Sequence, residues 1–472
     1  MNEPTPTAAG MRNAIERLRI VRFVLDAPAG RQILSAMATV ALLNTLLIGS
    51  STVRELLFAR EFGVSGAVDA LLFAYAVPVF VTGVLSSAFA SGVVPTLVRI
   101  REAEGHDVAA AFFTQLIAVT LLLFTAIAAL LLAIFPVLVT LLASRFEPDE
   151  IALAVRLFRI MAPVVVLGGL NGQMSAVLAG VERFGAATAT PAITPAVIAV
   201  TLALGHGHLT MTRVAAAIVV GSAVESLVLA GLLQRCRMWR RARFDAHPEI
   251  AILSRQYGAL VIGSVMMSLT TIIDQSMAML LGRGAVSTLA YGNRVVSAAA
   301  GLAALAVGTA VLPYFSKMVA ADDRAALRKS VSRFVVLLLA VMTPVAIALI
   351  VFAVPIVRLL FQRGHFTPAD TLAVARVQQY LALEIPFYAA GIPLVRAISA
   401  LRANHILTIG CAINLVTCIV LNYIFGRWIG VAGIALSTSA VYAVSFVFVL
   451  MMLRRLLRPE KKRPSSFPEG LS

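Results

Sequence analysis

Twelve apolar runs, each close to the length of a membrane span, decide what this chain can fold into. They lie near residues 33–53, 67–95, 110–135, 151–179, 187–205, 213–233, 256–282, 286–313, 331–353, 374–399, 405–425 and 430–453. A hydrocarbon core of about 30 Å needs roughly twenty apolar residues in helical form. The runs are continuous rather than alternating, which excludes the dyad pattern of a membrane β-barrel. With no water to satisfy backbone N–H and C=O groups, helices are the remaining solution. Composition agrees: 60% of the 472 residues are hydrophobic, 13% are charged, and mean hydropathy is +0.92. The expected fold class is an all-α polytopic membrane protein of about twelve transmembrane helices.

The formal net charge of +16 follows the topology. Arg12, Arg17, Arg19, Arg22 and Arg31 precede the first run, and Arg235, Arg237, Arg240, Arg241 and Arg243 follow the sixth. Lys317, Arg324, Arg328 and Lys329 follow the eighth, and a basic tail from Arg454 to Arg463 follows the twelfth. The other exits carry fewer: Arg54 and Arg60, Arg145, Arg213, and Arg283. This alternation fits the positive-inside rule with both termini cytoplasmic, and it argues against nucleic acid as the partner of the arginines. The first 32 residues lack the apolar core and cleavage site of a signal peptide; MRNAIERLRIVRFVL reads as a basic amphipathic segment on the inner leaflet. Cys236, Cys411 and Cys418 form no disulfide framework, the six histidines are scattered, and no metal cluster or organic cofactor is expected.

The chain repeats itself. Residues 67–95 align without a gap on 285–313, with Gly83 on Gly301 and Pro95 on Pro313. Residues 135–156 resemble 354–376, with Pro148 on Pro368 and Arg156 on Arg376. The organisation read from this is a cytoplasmic basic segment (1–32), a six-helix lobe (33–233), a cytoplasmic connection (234–250), a second six-helix lobe (251–453) and a basic cytoplasmic tail (454–472). Six helices per lobe is even, so the repeats run parallel, an architecture that transporters use with the substrate site between halves. Pro78, Pro163, Pro191, Pro195, Pro344 and Pro386 interrupt the runs, at bends that membrane helices tolerate.

Polar residues inside or bordering the runs are the candidate functional residues. A charge at membrane depth costs at least about 2.5–3.5 kcal/mol, so its position is usually functional. Arg54, Glu55, Arg60 and Glu61 cluster at the end of the first run, either within a helix or in a wet loop, and Asp69 opens the second. Asp274 lies deep in the seventh run, Asn293 and Arg294 lie in the eighth, and Glu225 and Glu384 lie in the sixth and tenth. Two readings stay open: these groups pair with one another, or the arginines bind an anion while Asp274 binds a coupling cation. A guanidinium fork matches the paired oxygens of a pyrophosphate.

Three stretches, RELLFAREFGVSGAVDALLF, AYGNRVVSAAAGLAALAVGTAVLPYFSK and VRLLFQRGHFTPADT, resemble the MurJ (MviN) family of lipid II flippases. That family lies within the multidrug/oligosaccharidyl-lipid/polysaccharide exporter superfamily. The resemblance runs from about residue 43 to 453. It implies a two-lobed, V-shaped bundle in the bacterial inner membrane, with a cationic cavity alternating between inward- and outward-open states. It implies no enzyme but a flippase moving a polyprenyl-pyrophosphate-linked glycan, with undecaprenyl pyrophosphate as the carrier, and with membrane lipids and cell-envelope synthesis proteins as partners. Arg54, Glu55, Asp69, Asn293 and Arg294 are the substrate-binding residues it suggests. Asp274, Asn422 and Thr438 match a cation-coupling site described in some members, suited to Na⁺ or H⁺. Ile48, Ala76, Val79, Thr82, Gly83 and Ser87 are uncharged where the family pattern usually carries basic or polar residues, and the pattern's two further C-terminal helices have no counterpart among the twelve runs. An exopolysaccharide or other undecaprenyl-linked intermediate therefore stays open as cargo, as does a non-transporting role as an envelope-assembly scaffold.

The charge pattern makes 362–371 extracytoplasmic and 234–250 cytoplasmic. In a background without Cys236, Cys411 and Cys418, an impermeant thiol reagent added to spheroplasts should modify a cysteine at His365 and spare one at Arg240. The opposite labelling would invert the topology.

Overall fold

The computed structural model describes residues 28–142, 146–205, 209–239, 265–266, 268–321 and 323–457. Part of the seventh run, the connection at 240–250, the N-terminal amphipathic segment and the basic tail lie outside the described residues. The first half of the chain forms α1 (Pro28–Phe62), α2 (Gly66–Ala103), α3 (His106–Leu142), α4 (Pro148–Met161), α5 (Pro163–Gly180), α6 (Phe184–Ala189), a 3₁₀ turn (Thr190–Ala192), α7 (Ile193–Leu204) and α8 (Met211–Arg235). The second half forms α9 (268–279), α10 (Ala285–Ala320), α11 (Arg324–Val351), α12 (Ala353–Phe361), α13 (Pro368–Ala382), α14 (Glu384–Ala400), α15 (Asn404–Ile429) and α16 (Val431–Leu456). Among the described residues there is no strand. Nine helical stretches there are long and apolar enough to cross a membrane, so this is a multi-pass membrane protein.

Prolines set the breaks. Pro163 begins α5 one residue after α4 ends, and Pro191 sits in the 3₁₀ turn before α7. Proline is suited to a first helical turn, whose N–H groups lack intrahelical partners anyway. The internal repeat appears as local structure: α4 and α13 start at the matched Pro148 and Pro368, and each breaks after about four turns before α5 and α14. Those two helices then close on left-handed residues, Glu182 (φ 66°) and Arg402 (φ 56°).

The chain divides into two compact units. One gathers the described residues of Met1–Phe58, Val81–Ala133 and Arg159–Gly258. Its core packs Leu97, Phe112, Phe113 and Phe124 with Met174, Val177, Leu229 and Leu233. Gly169 fits here because any Cβ would strike the Phe124 ring. Two of its polar contacts join helices: Thr194 donates to Glu225 (2.6 Å), and Asn171 donates to the Ser222 carbonyl (3.2 Å).

The other unit gathers Ala59–Phe80, Ile134–Phe158 and the described part of Ala259–Ser472. Its core joins Phe315, Leu327 and Val331 to Leu394, Ile398 and Leu453. Helix breaks here expose carbonyls that lipid cannot satisfy, and side chains supply the donors. Gln378 and Gln379 on α13 donate to the Leu349 and Ile350 carbonyls at the end of α11, each at 3.2 Å. Ser439 on α16 donates to the Tyr380 carbonyl (2.6 Å) at the α13–α14 break.

Replacing Gln378 with leucine strips the half-buried Leu349 carbonyl of its donor, at a cost of about 1–3 kcal/mol. Gln378→Leu should lower the thermal unfolding temperature in detergent without changing helical content. An unchanged temperature would show that the break needs no such donor.

Candidate functional site

Two sets of polar side chains in the second unit are built rather than scattered. The first is organised by Asp69, in the first turn of α2. Its side chain is fully buried. Oδ2 accepts from the Gly284 N–H (2.7 Å) and Oδ1 from the Ser287 N–H (2.8 Å). These are donors at the N-terminus of α10, where the first four N–H groups have no intrahelical acceptor and the dipole favours an anion. Beside it, Arg283 binds Glu150 (2.7 Å) and Glu147 (3.0 Å). The Glu150 hydrogen bond, then the charges of Glu150 and Glu147, raise the Arg283 pKa above its ordinary value. Gly66 leaves room for this bridge, because a Cβ there would collide with the Glu150 carboxylate.

The same region explains the polar residues of VRLLFQRGHFTPADT. The His365 N–H donates to the Arg60 carbonyl (2.9 Å). Gly364 (φ 62°) lies so close to that carbonyl that a side chain would overlap it, and it adopts a conformation glycine tolerates best. Thr367 and Asp370 form a capping box at the start of α13. Tyr291 reaches the Gly63 carbonyl (3.3 Å) and packs on Phe361 and Phe366. Residues 59–69, 147–150, 283–291 and 364–367 thus form one cluster of caps, an ion pair and backbone contacts.

The second set surrounds a cavity of about 320 Å³ lined by α9, α10, α13, α14, α15 and α16. Asp274 on α9 accepts from Asn422 Nδ2 (2.6 Å) and Cys418 Sγ (3.2 Å) on α15. Thr438 on α16 lies 3.4 Å from its other oxygen, but the Thr438 hydroxyl is closer to the Ile434 carbonyl (3.0 Å). One proton cannot serve both, so Thr438 is a weak donor to Asp274 and keeps oxygen lone pairs to offer. Asn422 is fully buried and its Oδ1 has no partner. The structure therefore brings Asp274, Asn422 and Thr438 together. Asn293 on α10 lines the same cavity and accepts from Ser297 (2.9 Å).

Arg54 and Glu55 lie on α1, which continues to Phe62, so Arg54 to Glu61 are helical rather than a loop. The two side chains are half-buried and bonded to one another. Arg54 and Glu55 belong to the first unit and Arg294 to the second, where Arg294 is half-buried on α10 next to Asn293. Arg294 is not among the residues lining the Asp274 cavity. Two features escaped the sequence reading, Cys418 and the bridge from Arg283 to Glu147 and Glu150, whereas Glu384 was already a candidate. Cys418 carried no charge to mark it, although it stands one helical turn from Asn422. Glu384 lines the Asp274 cavity from α14. Arg283, Glu147 and Glu150 lie between apolar runs, far apart in the chain, with no pattern that pairs them.

The family model of lipid II flippase MurJ matches residues 58–466. The chain belongs to that family. A lipid II flippase MurJ from Burkholderia cenocepacia is 28% identical over 442 residues, covering 89% of this chain and 83% of the relative. A probable lipid II flippase MurJ from Synechocystis is 26% identical, covering 86% and 78%. Among solved structures, "Lipid II flippase MurJ, inward closed conformation" superposes with a TM-score of 0.76 at 22% identity, covering 88% of this chain and 87% of that one. An inward-facing multidrug resistance MATE transporter of the MOP superfamily gives 0.70 at 15%, covering 88% and 94%. These structural likenesses show the fold, in which twelve helices form two lobes.

Asp69→Asn replaces one acceptor oxygen with an NH₂ group facing a backbone N–H. Losing a buried charge-assisted bond costs about 1.5–3 kcal/mol, so this variant should unfold at a lower temperature than wild type. Equal unfolding temperatures would contradict the cap.

Proposed function

We propose that this chain moves lipid II across the bacterial inner membrane by alternating access, making and breaking no covalent bond. What carries the reading is the family match, which spans nearly all the membrane helices. Both termini are cytoplasmic in this reading, as the arginine pattern favours. The carrier lipid is undecaprenyl pyrophosphate, and envelope-synthesis proteins stand on either side of the transport step.

In this reading Arg54 and Arg294 bind the pyrophosphate through guanidinium forks. Glu55 holds Arg54 in place, and Asn293 offers a neutral polar contact. Asp69 and its neighbours at Arg283 and Gly364 form contacts that must open for the lipid to leave on their side. Coupling uses Asp274, Asn422 and Thr438. One carboxylate, one amide oxygen without a partner and one hydroxyl oxygen fit a hard monovalent cation. Na⁺ bound there would neutralise Asp274, and a proton on the carboxylate would do the same.

Cells depleted of their own lipid II flippase provide the test, with protein levels measured in parallel. Wild type should restore growth, whereas Arg54→Ala and Arg294→Ala should not. Each loses a charge-assisted bond whose removal weakens binding by more than about tenfold. Arg294→Lys keeps the charge without the fork and should rescue in part. Rescue by both alanine variants would remove the arginines from the substrate. Failure of well-expressed wild type would point to another undecaprenyl-linked glycan.

A further inference from the structure

The cavity of the second unit holds a second carboxylate, and its surroundings differ from those of Asp274. Glu384 opens α14, is only 6% exposed and lines the cavity. No described residue donates a hydrogen bond to it, and its Oε2 is fully enclosed without a partner. Two neighbours on the wall share this condition: Gln275 Oε1 on α9 and Asn414 Oδ1 on α15. Asn414 spends its amide N–H on Ser445 Oγ (3.2 Å), which leaves the oxygen as its unused group. Three residues from three helices, each with an enclosed oxygen that has no partner, therefore line one cavity.

Such a set is unfavourable as it stands. A buried acceptor without a partner costs about 1–3 kcal/mol, and more for a carboxylate. Among the described residues, no arginine, lysine or histidine lines the cavity. Tyr442 on α16, Cys411 and Cys418 on α15, and Asp274 on α9 are the other titratable groups on its wall, and Tyr388 lies one turn along α14 from Glu384. All are neutral or acidic, so no positive charge comes from the described residues of the wall. Carboxylate and amide oxygens are hard ligands that favour alkali or alkaline-earth cations, and no cluster of three or more His, Cys, Asp or Glu for a transition metal occurs among the described residues. Asp274 already accepts hydrogen bonds from Asn422 and Cys418. One carboxylate is left without a donor, which matches one positive charge.

We propose that Glu384, with Gln275 and Asn414, binds a monovalent alkali cation at a position separate from the Asp274–Asn422–Thr438 set. The cavity then has room for two monovalent ions, one per carboxylate. This inference concerns ion binding and holds whichever glycan the protein carries.

The test is equilibrium binding of radiolabelled sodium to the full chain in nanodiscs at neutral pH, with choline as the inert cation. Wild type should bind sodium with a stoichiometry of two. Glu384→Gln keeps the side-chain shape and should lose one ion, while Asp274→Asn should lose the other. Asn414→Ala removes one oxygen and should weaken the Glu384 ion several-fold, about what one lost hydrogen-bond-strength contact gives. It serves as the second reading should Glu384→Gln fail to fold. Sodium binding by Glu384→Gln and Asn414→Ala equal to wild type would overturn the proposal and make Glu384 a buried neutral acid. Displacement of all bound sodium by equimolar calcium would also overturn it, by assigning both carboxylates to one divalent site.

Discussion

The fully buried carboxylate of Asp69 at the start of α10 is the contact on which the second unit's organisation rests. Inside a membrane protein, helix ends are the weak points, because their free N–H and C=O groups find no water. Asp69 meets two such N–H groups with one side chain and places its charge at the positive end of the helix dipole. Fixing α2 on α10 in this way sets the Arg283–Glu150 bridge, the fit of Gly66 beneath it and the approach of Arg60 to His365. These contacts tie residues 59–69 from early in the chain to helices from its later half. They are polar, few and directional, and so can be exchanged as a set, unlike the interlocked aromatic and aliphatic cores of the two units.

The same rule, that every buried polar group needs a partner, separates scaffold from site. Gln378, Gln379, Ser439 and Asn171 each donate to a backbone carbonyl, and they stabilise breaks and crossings. On the residues lining the Asp274 cavity, the buried atoms without a partner are oxygen acceptors, on Gln275, Glu384 and Asn414. An excess of oxygen is a recognition property. It favours positively charged ligands, and in the proposed reading a small ion bound there would touch several helices of the second unit at once.

Much of the fold was legible in the sequence because lipid enforces simple rules. Run length gave the helices, and the repeat was carried by prolines such as Pro148 and Pro368, whose place at a helix start is dictated by the missing N–H. Asp274 stood out because a carboxylate deep in an apolar run is rare. The rest was hidden for equally physical reasons. The charges from Arg54 to Glu61 fit a helix end and a loop equally well, and α1 continues through them. Asp69 bonds to backbone N–H groups, which every residue type presents, so its partners at Gly284 and Ser287 left no side-chain signature. Cys418 reads as a small hydrophobe until a carboxylate is seen beside it.

In the proposed transport cycle the cluster around Asp69 opens and closes, and a tether across it tests this most directly. Cysteines at Glu150 and Arg283, whose side chains touch, can be joined by a short reducible cross-linker after reconstitution into liposomes with fluorescent lipid II. Alternating access predicts that the cross-linked protein stops moving lipid II between leaflets and that reduction restores the rate. Undiminished transport by fully cross-linked protein would contradict it.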